Sequence, residues 1–456
     1  MLPFTLRASL FTCFQVPVPG YLVLVPSSSP IRSVFAATRH RDFRLFLIGQ
    51  FVSLCGTWIQ TVAQGWLVLQ LTNSAFAVGL VTAMGSLPIL LFTLYGGVVA
   101  DRVNKRRLVL LLQSLMLIEA LILAILTQLH LITVHWVMGL AVFSGLLSAF
   151  EVPTRQSMIA EIVAREDLMN AIALGSSAFN VARVVGPSIA GALIATVGLP
   201  ACFFVNAASY LAVIVSLTRM RVARPANPSQ VETLGALKEG FRYIFGNPLP
   251  RAVMILIATF SVFGFSFMPM MPVFARDVLH LDAKGYGVLV SAVGLGAAAA
   301  AIFMAGFGGR TPGPRLVLGS SLLFGLVLTA AGLAPEFWSA IVLFTLSGCN
   351  MALNGIAANT TLQTQAPDHL RGRVMSFYSF VVLGLAPFGS FQAGWVSEHF
   401  GVRVAIALGG GICFLVAVIV GIERREKTER TEGADSPKAA DSRTAADAPK
   451  AADNVG

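Results

Sequence analysis

Polar side chains stand at helical spacing inside long apolar runs of this sequence, and their types suit hydrogen bonding and ion exchange rather than bond making. Ser53, Thr57, Gln60 and Gln64 follow one another at intervals of four, three and four, which places them on one side of a helix. Polar groups are costly in hydrocarbon, so such a stripe faces either a water-filled cavity or hydrogen-bonding partners on a neighbouring helix. Ser176, Asn180, Arg183 and Pro187 repeat the geometry. A guanidinium in hydrocarbon needs an acid, carbonyl groups or water close by. Arg183 therefore reads as a cavity contact or as a cation locking two helices together. A third stripe, Ser144, Ser148, Glu151 and Arg155, ends in an acid and a base one turn apart, the spacing of a helical ion pair. Glu119 lies deep in an apolar run, where a carboxyl either relays protons or rests beside lipid. Glu119 and Glu151 are the two candidates for proton coupling.

Further candidates come from the second half of the chain. Phe263, Phe265, Phe267, Met268, Met270 and Met271 crowd a run broken by Pro269 and Pro272. Methionine and phenylalanine reshape around varied apolar ligands, and a broken helix is tolerated where it borders a cavity; lipid-facing filler is the alternative reading. Asn350 and Asn354, one turn apart, and Tyr378 add polar candidates.

Enzymatic chemistry finds no support. The sequence has no Gly-x4-Gly-Lys-Ser/Thr phosphate loop, no zinc spacing and no nucleophile elbow, so no cofactor or metal is expected. Gly294-Leu-Gly296-Ala-Ala-Ala299 fits a loose dinucleotide fingerprint but sits within an apolar run with no preceding strand, so it reads as helix packing. Five cysteines form no paired framework.

The elements that must hold these residues are membrane helices. With 56% hydrophobic and 12% charged residues among 456, a soluble domain could not cover itself with polar surface. Apolar runs of about 20 residues, the length needed to cross hydrocarbon, lie near 43–71, 77–100, 107–128, 134–154, 171–197 and 199–219, then 252–274, 286–308, 314–334, 337–357, 374–397 and 403–422. Twelve spans put both ends on one side. A net charge of +10 would suggest nucleic acid in a soluble protein, but the cations cluster at loop ends. Sixteen Lys and Arg residues flank one set of connections, whereas Arg276, Lys284 and Arg403 flank the other. By the positive-inside rule the termini and the middle loop are cytoplasmic.

The halves echo each other. Gly186, Gly191 and Gly198 recur as Gly389, Gly394 and Gly401 at an offset of 203, and Gly97 with Arg106 recurs as Gly306 with Arg315 at an offset of 209. This is the mark of two parallel six-helix repeats. In the second copy Arg310 stands where the first has Asp101.

Between the second and third runs, Gly96-Gly-Val-Val-Ala-Asp-Arg-Val-Asn-Lys-Arg-Arg107 forms a basic turn. Paired glycines permit close backbone approach, and Asp101 is placed to meet a facing helix end or to pair with Arg102 or Arg106. The turn resembles the signature of the major facilitator superfamily, with Asp101, Arg102, Lys105, Arg106 and Arg107 in matching positions. Leu71-Thr-Asn-Ser-Ala-Phe-Ala-Val-Gly79, Pro153-Thr-Arg-Gln-Ser157 and Asn170-Ala171 are similar to its exporter branch, that of the enterobactin exporter and macrolide efflux proteins. The resemblance implies an all-α membrane fold of two six-helix bundles in a bacterial inner membrane, acting as a monomeric secondary transporter. It implies efflux of a small molecule against protons or another coupling ion, amid membrane lipids and without nucleic acid. Gly97, Asp101, Arg102, Arg106, Glu151 and Arg155 are then gating residues. Similar folds also flip lysophospholipids inward, and a non-transporting membrane sensor is a further alternative.

Domain limits follow: an N-terminal extension over 1–38, bundles over 39–219 and 251–422, a cytoplasmic linker over 220–250 and a disordered tail over 423–456. In the linker, Leu234, Leu237, Phe241 and Ile244 recur at helical spacing. The expected helix lies on the inner leaflet or packs on protein.

Overall fold

The computed structural model describes residues 35–220, 233–307, 313–367 and 369–434. Among them twelve helices are long and apolar enough to cross a membrane, and no strand occurs. The first six are α1 (Arg41–Thr72), α2 (Ala75–Arg102), α3 (Lys105–Gln128), α4 (Val134–Ile162), α5 (Leu168–Thr196) and α6 (Leu199–Arg219). The linker helix α7 (Thr233–Gly246) follows. The second set is α8 (Pro248–Val278), α9 (Ala283–Phe307), α10 (Gly313–Gly332), α11 (Phe337–Gln365), α12 (Arg371–Phe400) and α13 (Val402–Ala434).

Local chemistry sets several boundaries. Asn73 ends α1 in the left-handed region at φ 50°, a conformation asparagine tolerates. The Ser74 hydroxyl then caps α2 by accepting from the Ala77 amide at 3.1 Å. Asn104 caps α3 in the same way, accepting from the Arg107 amide at 3.0 Å. α8 is irregular as its prolines foretell: π turns at Phe260–Gly264 and Phe274–Val278 interrupt it, and Pro269 and Pro272 fall in the short α segment between. α12 is also broken, at Leu385.

Within the first bundle α1 packs on α5 and α6, α2 on α4 and α3 on α6; in the second, α9 packs on α11 and α10 on α11 and α13. The bundles meet along two seams, α2 against α12 and α5 against α9. The internal repeat is visible at single residues. Gly198 and Gly401 both turn the chain at positive φ, 103° and 87°. A Cβ on Gly186 would lie 2.6 Å from Trp58 of α1, and one on Gly389 would lie 2.5 Å from the Val262 carbonyl of α8. A Cβ on Gly191 would meet Lys284 of α9 at 3.1 Å, and one on Gly394 would meet Gly79 of α2 at 3.0 Å. The offset of 203 thus links positions that make the same contacts in the two halves. Arg310 and Tyr-free tail residues 435–456 lie outside the described residues, as do 1–34 and 221–232.

Two peripheral elements add to the sequence expectations. α7 packs on α12: Ile244 is fully buried, Phe241 meets Phe377 edge-on at 5.7 Å, the Tyr243 hydroxyl donates to the Gln365 carbonyl at 2.7 Å, and Glu239 pairs with Arg373. α13 runs to Ala434, taking in the first part of the expected tail, whose Glu, Lys and Arg residues are good helix formers.

Candidate functional site

At the bundle junction a cavity of about 430 Å³ is lined from both halves. α1 supplies Thr57, Trp58, Thr61 and Gln64; α2 supplies Thr82 and Ser86; α4 supplies Ser144 and Ser148; α8 supplies Phe265, Met268, Pro269 and Pro272; and α9 supplies Tyr286. No Asp, Glu, Lys, Arg or His is among its lining residues. Thr57, Thr61, Thr82 and Ser86 donate to carbonyls one turn back on their own helices, at 2.8–2.9 Å. The hydroxyls of Thr61, Thr82 and Ser86 keep lone pairs for a guest. The Gln64 amide has no partner among the described residues. The wall is therefore apolar with scattered hydrogen-bonding groups, the usual make-up of a small-molecule site.

Both seams are tight at the face that carries the α1–α2 and α5–α6 turns. There the Ser188 and Ser291 hydroxyls lie 2.7 Å apart, and the α1–α2 turn is held from the other bundle. Glu398 accepts from the Ser74 hydroxyl and the Phe76 amide, both at 3.0 Å, while Arg276 donates to the Leu69 carbonyl at 3.3 Å and the Asn73 side chain at 2.9 Å. Toward the basic face a cleft lies in the α2–α12 seam. Ile89, which lines the cavity, also lines a cleft of about 290 Å³ between α2 and α12 with Thr93, Met375, Ser376 and Ser379. The cleft and the cavity thus adjoin at Ile89, while the inter-bundle hydrogen bonds gather at the other face.

The α1 stripe divides between two environments. Thr57 and Gln64 line the cavity, but Ser53 and Gln60 are buried and face α6. Gln60 accepts from the Asn206 amide at 2.7 Å and donates to the Glu119 carboxylate at 3.3 Å. The cause is visible in the glycines: a Cβ on Gly49 would lie 2.5 Å from the Ser216 hydroxyl and one on Gly56 2.6 Å from the Asn206 side chain. The run Gly49, Ser53, Gly56, Gln60 is the close-packing face, and Leu54, Thr57, Thr61, Gln64 is the cavity face beside it.

Among the second-half candidates Phe265 and Met268 line the cavity, whereas Asn350, Asn354 and Tyr378 make their hydrogen bonds within their own bundle. Asn350 donates to the Leu346 carbonyl at 2.9 Å. Asn354 donates to the Ser321 hydroxyl at 2.5 Å and the Val317 carbonyl at 3.2 Å, tying α11 to α10. The Tyr378 hydroxyl reaches the Gly355 carbonyl at 3.5 Å. Gly294, of the loose dinucleotide fingerprint, packs closely on Arg183 of α5, as expected of a packing glycine.

Arg183 stands beside the cavity rather than in its wall. It is 7% exposed; its guanidinium carbon lies 5.7 Å from the Trp58 ring, and one terminal nitrogen donates to the Met351 sulfur at 3.5 Å. Its Nε has no partner, and no carboxylate pairs with it among the described residues. Asn180, one turn away, donates to the Ser176 carbonyl at 2.9 Å. A buried, unpaired guanidinium costs about 2.5–3.5 kcal/mol on insertion scales, a strain that a partner would relieve.

The acids are placed differently. Glu119 is 1% exposed, enclosed by α1, α3 and α6 through Gln60 and Asn206. It lies inside the bundle rather than beside lipid. Glu151 accepts from Arg155 at 2.9 Å and from Gln113 at 3.3 Å, the ion pair that its spacing suggests.

The transmembrane secretion effector family, a branch of the major facilitator superfamily, matches residues 32–448. The chain belongs to that family. It is therefore a multi-pass transporter and not an enzyme. It is 25% identical over 398 residues to the staphyloferrin A transporter of Staphylococcus aureus, covering 85% of this chain and 98% of the relative. It is 27% identical over 405 residues to the multidrug efflux pump Tap of Mycolicibacterium fortuitum (85% and 97%). It is also 25% identical over 397 residues to the enterobactin exporter EntS of Escherichia coli (85% and 94%). In fold it is similar to a bacterial homologue of the lysosomal transporter Spinster, with TM-score 0.69 at 14% identity over 85% of this chain and 97% of that one. The nucleoside transporter NupG gives TM-score 0.64 at 14% identity, covering 84% and 98%.

In the signature turn the close approach falls on Gly96, which packs on Ala149 and Phe150 of α4; Gly97 has nothing within 4 Å of a Cβ position. Asp101 is partly exposed and makes no ion pair with Arg102 or Arg106 among the described residues. Arg106 instead donates to the Thr218 carbonyl at 3.0 Å, at the end of α6, where a cation favours the helix terminus. Lys105 is buried and pairs with Glu161 of α4. Sequence reasoning missed that pair, the Asp167 contacts with Arg39 and His40 (2.6 and 2.7 Å), and the Glu398 and Arg276 clasp. The signal for Thr61, Thr82 and Ser86 was present, since each stands one turn from another hydroxyl.

Proposed function

We propose that this protein exports a hydrophobic or amphipathic small molecule from the cytoplasm by gradient-driven antiport, with protons as the coupling ion. The uncharged cavity at the bundle junction carries the reading: its Thr, Ser and Gln groups and its Phe265, Met268 and Trp58 surfaces suit an apolar body with a few polar groups. The names of two relatives, a multidrug efflux pump and an enterobactin exporter, support the direction. The lysine and arginine imbalance supports a cytoplasmic basic face in a bacterial inner membrane, so the cavity described here takes substrate from inside.

The two bundles, 39–219 and 251–422, rock about the two seams while the basic turn around Asp101, Arg102 and Arg106 restrains the joint. Glu119 is the proposed proton carrier: its carboxyl is buried, has no cation beside it, and connects through Gln60 to the helix that also presents Thr57 and Gln64. A monomer is the proposed working unit, since each chain carries both bundles that line the cavity. Uptake into inverted vesicles under an imposed pH gradient, screened over lipophilic dyes, drugs and siderophores, tests the proposal. Accumulation that collapses with the gradient is the expected result. Gradient-independent binding with no flux would overturn it in favour of a sensor.

A further inference from the structure

We infer that the exported molecule is an amphipathic acid whose single anionic group, of carboxylate size, docks on Arg183 at the edge of Trp58. This narrows the export reading above and rests on it for the word exported; the binding site itself stands on geometry alone. The cavity wall contributes no charge, yet a guanidinium stands directly behind one of its rings. Trp58 and Phe179 both line the cavity and meet edge-on at 5.9 Å. Arg183 lies one turn beyond Phe179 on α5 and 5.7 Å from the Trp58 ring centre. Trp58 thus lines the cavity and is also in contact with the guanidinium.

The arginine is short of partners in a way that points to a ligand. It is 93% buried, taking its exposure of 7% from the whole. Its Nε donates to nothing, and its one hydrogen bond goes to a thioether sulfur, a weak acceptor. The acids that could serve it are committed elsewhere: Glu119 to Gln60 and Glu151 to Arg155 and Gln113. Asn350, next to Met351, is turned to its own helix. A planar fork with free N–H groups matches a carboxylate in two parallel hydrogen bonds. A cationic guest would meet a like charge with no acid to offset it, and a neutral guest would leave the guanidinium as it is.

The position also links occupancy to movement. Met351 belongs to the second bundle and Trp58 to the first, and the Arg183 backbone is in close contact with Gly294 of α9. An anion bound there replaces the Met351 contact and so bears on both bundles beside the close contact of Arg183 with Gly294.

The test is equilibrium binding to the purified full-length protein in lipid nanodiscs, using 1-naphthylacetate and the matched amide 1-naphthylacetamide. The wild type should bind the carboxylate at least about tenfold tighter than the amide, the scale of a charge-assisted bond. Arg183→Gln should erase the difference, with thermal unfolding of the nanodisc sample reporting an intact fold, and Arg183→Lys should keep part of it. Equal affinities in the wild type, a preference that survives Arg183→Gln, or no carboxylate binding would each overturn the inference. Vesicle flux separates the two readings: gradient-driven export of neutral compounds without carboxylate preference leaves the export reading standing and removes this one. Carboxylate-selective binding with no flux of any compound does the reverse.

Discussion

Replacing Gly287 with alanine probes the α5–α9 seam with a single added methyl. A Cβ there would lie 2.6 Å from the Pro187 carbonyl oxygen and 3.0 Å from the Gly191 Cα. Both are backbone atoms that no rotamer change can move, and ordinary contact begins near 3.4 Å. The bundles must separate by several tenths of an ångström to make room. Overpacking of this kind costs about 1–3 kcal/mol, which at tenfold per about 1.4 kcal/mol is a loss of about 5- to 150-fold in the closure constant of the face opposite the basic turns. The assay is oxidative cross-linking of Ser188→Cys with Ser291→Cys, whose parent hydroxyls lie 2.7 Å apart, in membranes with and without Gly287→Ala. Cross-linking should slow and transport should fall, while Gly139→Ala, with nothing within 4 Å of its Cβ, should change neither. Equal cross-linking rates with and without the methyl would refute the assignment of this seam as a seal.

Other perturbations separate the remaining roles. Asp101→Asn should slow transport with insertion intact; normal efflux at normal abundance rejects a restraint at that turn. Gln60→Leu should lower thermal stability by about 1–3 kcal/mol for each buried partner left unpaired, whereas Gln64→Leu should alter substrate preference with unfolding unchanged; the reverse pattern refutes the division of the α1 stripe. Glu398→Gln should weaken the clasp on Ser74 and Phe76 by about 1 kcal/mol, raising labelling of cysteines at the sealed face about fivefold, and no change in labelling would remove the clasp from the gate.

The span count, the parallel repeat and the breaks in α8 were legible because each leaves a one-dimensional mark: an apolar length, a constant offset, a proline. The offset of 203 was readable as glycines before it was readable as contacts. What was not legible was which side of a polar stripe is wet. Ser53 and Gln60 are separated from Thr57 and Gln64 by a fraction of a helical turn, and only the α6 backbone, drawn close by Gly49 and Gly56, decides the matter. Asn350, Asn354 and Tyr378 likewise spend their hydrogen bonds on near neighbours, a choice that spacing alone does not display. The Glu398 and Arg276 clasp joins residues 324 and 203 positions apart in the chain, beyond the reach of any local pattern.

The central claim is that one uncharged cavity is exposed first at the basic face and then at the other. Thr61→Cys, placed in the cavity wall, should react with a membrane-impermeant thiol reagent from the basic face at rest, and from both faces during gradient-driven turnover. A cysteine there that stays unreactive from both sides throughout turnover would contradict the account.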